Sequence, residues 1–583
     1  MEKILLIILL IVLMFGLMGS SPLQQIDPVW DESTHYLIFE KTTSRGILPL
    51  YHRVVRLSAP MQSSTTPALG RALSSPQRNH QFVVVRLKDL AGRVLFQGAV
   101  QKQSVLRGEF HGDSPGDMID GHFFPLESIY FVVRVPVIER ALLHIWDPQT
   151  RSTQVFDLGL IPINEFDDSI RNGKVERVAY SGNPQNRVDL LVMGDGYREA
   201  ERELFDTDLQ TITSNFFGIT PLAEYQNYFN VHTLFIASNE SGANHPPYDP
   251  NCAFGDNSCC GDPAMIFDPL VGTMVDTAFD ATYCAYSVHR LLVVDIFKVY
   301  SAAEAVPDWD IILMIVNDET YGGSGGNFTV VSTHPAVVDL AQHEFGHNFA
   351  NLADEYPDPY PGYPGCSDIS GSSPCEVNVT DDNSPGSIKW ANWFLPSTPI
   401  PTVPEWDPGY ATVVGLFDGA RYQYSGMFRS GQNCLMRSLG QPFCQVPSQA
   451  IVLKYYHGGW GIPWEGISMI EPNSTTPSRP DVKMQVGTVL DFSVNILSPI
   501  LGPPPSVNWF HNGTWVLAGV DSFNFAPSVG DYGLNTIRLE VMDMTPLVLP
   551  DVSGSALSFI HDWTVEVVPT RFNHSIYLPL IQQ

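Results

Sequence analysis

The sequence predicts a multidomain chain: a central α/β domain flanked by an N-terminal β-sandwich and a C-terminal β-sandwich. Three observations carry that expectation. At 583 residues the chain is too long for one ordinary hydrophobic core. Its ends alternate apolar and polar residues with period two, whereas strand-like runs alternate with helical stripes in the middle. All eight cysteines fall between Cys252 and Cys444, which sets the middle region apart.

Met1-Glu2-Lys3 precedes an apolar run from Ile4 to Met18 and then Gly19-Ser20-Ser21-Pro22. A charged start, a short hydrophobic stretch and a small-residue exit read as a signal peptide over 1–21. A spanning helix needs about 20 apolar residues, so no stable membrane insertion is expected after cleavage. An uncleaved N-terminal anchor is the alternative, because no A-x-A site follows. The expected location is secreted or extracellular, with cell-surface association left open.

Residues 22–170 read as the N-terminal β-sandwich, with strands such as Gln81–Leu87 and Ile129–Val135 and nothing that looks catalytic. Asp167 to Gly182 reads as a linker. Residues 171–465 read as the α/β domain. Its strands are Arg187–Met193, Phe229–Ile236 and Asp310–Val316. A helix is expected from Arg198 to Phe217 on a stripe of Leu204, Leu209, Ile212 and Phe216, and another from about His289 to Ala303. Tyr321-Gly-Gly-Ser-Gly-Gly326 lacks the Lys-Ser/Thr of a phosphate loop and reads as the rim of a site. Residues 466–570 are β-rich again and read as an immunoglobulin-like β-sandwich without its disulfide, with Trp509 in the core. Residues 571–583 form a short C-terminal tail.

A hydrophobic fraction of 44% and a charged fraction of 16% belong to a folded protein. The formal charge of −30, from 62 acidic and 32 basic side chains, repels phosphate backbones and anionic lipid, so no nucleic acid partner is expected. The even, clustered cysteines of an exported chain read as disulfides bracing loops, with Cys366 to Cys375 the nearest-neighbour guess. A cysteine metal site at Cys259-Cys260 is the rival, weakened by the lack of paired C-x-x-C knuckles.

Ser332-Thr333 followed by Pro335 reads as a helix start, and Val337, Ala341, Phe345, Phe349 and Leu352 mark a buried stripe. Within it lies His343-Glu344-Phe345-Gly346-His347. Histidines four residues apart share a face, about 6 Å apart along the axis, and can converge on one Zn2+. Glu344 is turned to the open side, where it can deprotonate a water, and Gly346 keeps the metal face uncrowded. The bland reading of such a motif is two core or surface histidines.

The full string, His343-Glu-Phe-Gly-His347 through Asp354-Glu355-Tyr356, resembles the IgA-peptidase family of zinc metallopeptidases. So do Leu191–Tyr197, Pro221–Tyr225, Ser238–Gly242, Tyr321–Gly326 and Asn433–Arg437 with Pro442–Cys444. The likeness covers about 187 to 460. It implies a metzincin-like α/β zincin domain and a secreted endopeptidase acting on protein or glycoprotein substrates through a zinc-activated water, with Glu344 as general base. Cleavage of immunoglobulin A itself need not transfer.

The third ligand is either Asp354 or Glu355. A metzincin-like spacing would place it at Ala353, which cannot ligate, and Asp354 lies about 10 Å beyond His347 on a straight helix. The chain therefore has to break after Phe349, with Asn351 suited to left-handed geometry. Asp354 is preferred as the ligand; the other carboxylate would then stand behind a ligand and orient it. Met436 resembles a Met-turn packed under the histidines, against an ordinary buried methionine beside a disulfide. Two other functions compete: an adhesion or glycan-binding protein with a degenerate metal domain, and a zinc hydrolase of non-peptide bonds. Retention of Glu344, which metal binding alone does not need, opposes the first.

Overall fold

A computed structural model of the chain describes residues 32–42, 45–57, 82–110, 120–138, 140–163, 173–360, 363–371, 373–458 and 466–569. The expected signal peptide and C-terminal tail lie outside the described residues. The chain separates into two compact units, Met1–Gly466 and Ile467–Gln583.

Among the described residues the first unit opens with nine strands: β1 (Glu32–Thr42), β2 (Gly46–Leu57), β3 (Phe82–Lys88), β4 (Val94–Gln101), β5 (Val105–Phe110), β6 (Asp120–Pro125), β7 (Ser128–Pro136), β8 (Leu142–Asp147) and β9 (Ser152–Asp157). They form sheets of order β2-β1-β7 and β4-β3-β8-β9, while β5 and β6 make a separate antiparallel pair. Strand side chains alternate between faces, so β1 and β7 each feed two cores. Leu37, Phe39, Phe131 and Val133 meet Val83, Val85 and Leu143 of the other sheet. On the opposite face, Tyr36, Ile38 and Val132 join Tyr300, Met314 and Val316 of the α/β region. The first β region is thus keyed into the region that follows it, each such buried side chain contributing about 1.5–3 kcal/mol of hydrophobic stabilisation.

The α/β sheet runs β10 (Lys174–Ala179), β12 (Phe229–Phe235), β11 (Val188–Asp195), β13 (Ile311–Val316), β15 (Thr329–Val331), β14 (Gly323–Ser324). Strands β12, β11, β13 and β15 are parallel, and β10 and β14 are antiparallel edges. β11 is buried along its whole length, the pattern of a parallel strand covered on both faces. β10 lies inside the stretch expected to be a linker; its backbone is held by the ladder to β12.

Helix α1 (Arg202–Phe216) buries Phe205, Leu209, Ile212 and Phe216, whereas Leu204 of the expected stripe is exposed. Positions 205, 209, 212 and 216 follow the 3.6-residue repeat, and 204 falls one residue off that face. Helix α2 (Ile296–Ala303) starts later than expected. Asp295 caps it by accepting from the Lys298 amide, and the residues just before make a bridge-type contact between Thr282 and Val293. Helix α3 (Val337–Ala350) buries every residue except Asp339 and Asn348. Its N-cap is Ala336, with no side-chain cap, so the expected hydroxyl cap at Ser332-Thr333 is not formed. The Thr333 hydroxyl donates to the Asp318 carbonyl instead. Helix α4 (Gln445–His457) packs beside α3, with Tyr455 against Phe349.

Short strands β16 (Val379–Thr380), β17 (Phe417–Ala420) and β18 (Gln423–Arg429) complete this unit as a three-stranded sheet. Disulfides join Cys252 to Cys259, Cys260 to Cys284 and Cys366 to Cys375. Cys434 and Cys444 are thiols, which corrects the expectation that all eight cysteines pair.

The second unit holds β19 (Asp481–Gln485), β20 (Leu490–Ser493), β21 (Ser506–His511), β22 (Thr514–Ala518), β23 (Ser522–Phe525), β24 (Gly533–Met542) and β25 (Ser558–Val568). Its main sheet has the order β19-β25-β24-β21-β22, and β20 pairs with β23. Trp509 is fully buried and stacks on Trp563 at 5.8 Å, with its indole N–H donated to the Val520 carbonyl.

Candidate metal centre

One turn of α3 puts the His343 and His347 Nε2 atoms 2.9 Å apart. Each ring is anchored from behind. His343 Nδ1–H donates to the Leu435 carbonyl at 3.0 Å and His347 Nδ1–H to the Leu352 carbonyl at 2.7 Å. A carbonyl can only accept, so in each neutral ring the proton sits on Nδ1 and the Nε2 lone pairs face the same point.

The helix stops at Ala350 because Asn351 turns left-handed, with φ 53° and ψ 47°. That turn folds Leu352 back to His347 and returns Asp354 to the histidines. Asp354 Oδ1 lies 3.3 Å from His343 Nε2 and 3.1 Å from His347 Nε2. Its other oxygen is pinned by the Tyr422 hydroxyl, which donates at 2.6 Å from the turn between β17 and β18. Glu355 points elsewhere: its carboxylate accepts from Asn378 Nδ2 at 2.9 Å, and burial pushes its pKa up to about 7. Of the two carboxylates weighed from sequence, Asp354 reaches the histidines and Glu355 does not.

Met436 is buried beneath α3, and its loop grips both sides of the site. The Leu435 carbonyl holds His343, and the Met436 carbonyl accepts the Glu355 amide at 2.7 Å. A Cβ at Gly346 would stand 2.8 Å from Met436 Sδ, so the bare glycine lets the methionine pack directly against the helix.

A fourth candidate ligand comes from the N-terminal β region, where none was expected. Glu109 on β5 is fully buried, with Oε2 2.7 Å from His343 Nε2 and Oε1 3.5 Å from His347 Nε2. Two residues earlier on the same strand face, Arg107 brings Nη1 to 4.0 Å from Glu344 Oε2. No sequence motif marks these residues. Glu109 sits in an ordinary short strand, and only the fold brings it to α3.

Glu344 is fully buried on the open side of the helix, and neither of its oxygens has a hydrogen-bond partner among the described residues. The rim stretch presses on it so closely that a Cβ at Gly325 would overlap the carboxylate. Burial, then the charge of Glu109, raises the Glu344 pKa to about 8. Burial works against the His343 cation, but Glu109 and Asp354 carry its pKa well above the usual value. The same carboxylates outweigh burial and Arg107 at His347, raising it to about 9. Burial would raise Glu109, yet the two imidazoles hold it well below the ordinary carboxylate range.

The cluster fits a divalent cation. Glu109, His343, His347 and Asp354 each offer a ligand atom, all within 4.8 Å of one another. Glu109 Oε2 and Asp354 Oδ1 are buried and lack hydrogen-bonding geometry to any partner among the described residues, despite their closeness to the imidazoles. Three buried carboxylates beside one guanidinium leave an excess of negative charge that a dication neutralises without protonating the histidines.

Residues 177–408 and 405–454 match the family model described as IgA Peptidase M64. None of the curated proteins compared with the chain matches it.

Proposed function

The chain belongs to the IgA peptidase M64 family through residues 177–454 and is a metallopeptidase; from that premise we propose a secreted, zinc-dependent endopeptidase with Glu344 as its general base. The observation that carries the reading is the convergence of His343, His347 and Asp354 inside the matched region, with Asp354 Oδ1 and both Glu344 oxygens buried and without a hydrogen bond among the described residues. We assign His343, His347 and Asp354 as the metal-holding residues and Met436 as the Met-turn that supports them. In this reading residues 171–465 are a metzincin-like zincin, 22–170 a β-sandwich and 466–570 an immunoglobulin-like sandwich.

When bound, zinc supplies Lewis acidity, polarising a scissile carbonyl and making water a nucleophile near neutral pH. The protein does the rest. Leu435 and Leu352 hold the imidazoles in the tautomer that presents Nε2, and Tyr422 fixes the rotation of Asp354. Glu344, one residue after the first histidine, accepts the proton of the attacking water and delivers it to the departing amine. Its burial makes that carboxylate a stronger base than one in water. Three disulfides among the described residues support an oxidising, extracellular location, and no described helix is long and apolar enough to cross a membrane.

The test is Glu344→Gln, which keeps the side chain's shape but accepts no proton. Zinc content is expected to stay at about one per chain, while cleavage of a mixed protein substrate falls at least ~100-fold. Unchanged, chelator-sensitive cleavage by the metal-replete variant would remove Glu344 from the mechanism.

A further inference from the structure

With Glu109 included, four protein ligands surround the metal position, the number typical of a closed structural site; a catalytic site keeps one position free. A metallopeptidase needs that free position, so one of the four has to be displaceable. His343, His347 and Asp354 are fastened by local hydrogen bonds within the matched region. Glu109 is the one that arrives from outside it.

The way it arrives is informative. The sheet edge at the rim is where an extended peptide can add as a strand beside the metal helix. β5 already takes that place. The Arg107 amide donates to the Gly325 carbonyl and the Gly325 amide to the Arg107 carbonyl, both at 2.9 Å, in antiparallel register. From this position Arg107 faces Glu344 and Glu109 faces the histidines.

The hairpin is also moulded to the site. Gly121 of β6 pairs with Glu109, and a Cβ there would overlap the Tyr356 hydroxyl, which itself donates to Glu109 Oε1 at 3.3 Å. Gln103 donates to Asn348 of α3 at 3.2 Å, and Tyr360 donates to the Phe123 carbonyl at 2.5 Å. Because β5 and β6 belong to neither of the two larger N-terminal sheets, they can leave without unzipping those sheets.

We propose that β5 is a built-in occupant of the peptide groove, with Glu109 as a displaceable fourth metal ligand and Arg107 capping Glu344, so that the enzyme folds in a latent form. This rests on the zinc-peptidase reading above. Activation then requires β5 to leave the rim, after which a peptide strand can pair with Gly325 and the metal gains its free position.

The experiment uses the full chain and its Glu109→Ala and Glu109→Gln variants, the latter retaining the side chain's size in case the former does not fold. Three readouts are zinc per chain and its rate of removal by a chelator, calorimetric affinity for a small peptide hydroxamate, and cleavage of a mixed, reduced protein substrate. Both variants are expected to hold about one zinc, to lose it faster to chelator, and to bind the hydroxamate at least about tenfold tighter. Cleavage is expected to rise by a similar factor. Unchanged hydroxamate affinity in folded, zinc-loaded variants would overturn the proposal, as would complete loss of zinc, which would make Glu109 an obligatory ligand. Tighter hydroxamate binding without any peptide hydrolysis would support the occupant and sink the peptidase reading. Equal, rapid cleavage by wild type and variants would do the reverse.

Discussion

Two of the histidine–carboxylate clusters buried in the α/β region are built on opposite principles. His245 is fully buried between two aspartates, with Nδ1 2.8 Å from Asp268 Oδ2 and Nε2 3.0 Å from Asp318 Oδ2. His289 meets the same Asp268 oxygen at 2.8 Å, and the remaining aspartate oxygens accept from the Leu270 and Thr320 amides. Both nitrogens of His245 therefore have a partner, and the network ties together the four stretches of chain that carry His245, Asp268, His289 and Asp318. At the second cluster the Nδ1 atoms are spent on backbone carbonyls, and the Nε2 atoms converge on each other and on oxygens without hydrogen-bonding geometry. A buried polar cluster satisfied on every side is structural; one whose lone pairs converge is prepared for a cation.

That contrast can be broken most severely at the convergent cluster. His343→Ala removes a ligand from a site that a metallopeptidase needs filled, so zinc analysis should find the purified variant largely metal-free and without measurable cleavage. Full zinc and full activity in this variant would dissolve the difference between the clusters.

Next in size, His245→Ala leaves Asp268 and Asp318 buried without their shared cation, a loss on the order of 3–5 kcal/mol that calorimetry would register as a lower Tm. Zinc content per folded chain should not change. The pH dependence sharpens the point. Burial opposes the His245 cation, but Asp318 and Asp268 win and raise its pKa above 6.5; Tyr283 and His289 are the other titratable neighbours. A raised folded pKa means the stabilisation is complete below the unfolded value near 6.5 and is lost as pH rises through the folded one. Chelator should leave that loss in place, and its disappearance in His245→Ala is the control.

The smallest effect per lost interaction is reduction. The disulfides close loops with separations of 7, 24 and 9 residues, so reductant should lower the stability of the first unit by about 2–4 kcal/mol for each bond opened. The second unit has no cysteine and should melt unchanged. Alkylation of the denatured, unreduced protein should label Cys434 and Cys444 alone; labelling of neither would mean that this pair also closes.

Much of the site was legible because it is local. The spacing of His343 and His347 fixes their shared face through helix geometry alone, and Asn351 could be named as the turning residue because few side chains tolerate positive φ. The start of α3 is not legible locally, because Thr333 has a longer-range partner in the Asp318 carbonyl. Nor does periodicity separate Leu204 from Phe205, adjacent apolar residues of α1 of which only Phe205 is buried.

By itself the sequence put His343 and His347 on one face of a helix with Glu344 beside them, and marked a cysteine-bearing stretch of alternating strands and helices off from β-rich ends. Each rests on interactions between residues a turn or a strand apart, which composition and spacing encode directly. Only the tertiary structure shows that Asp354 approaches the histidines while Glu355 turns to Asn378. It alone also delivered Arg107 and Glu109. Their approach depends on β5 pairing with the rim at Gly325, and a strand's choice of edge is set by packing across the whole unit, which the residues of that strand do not carry.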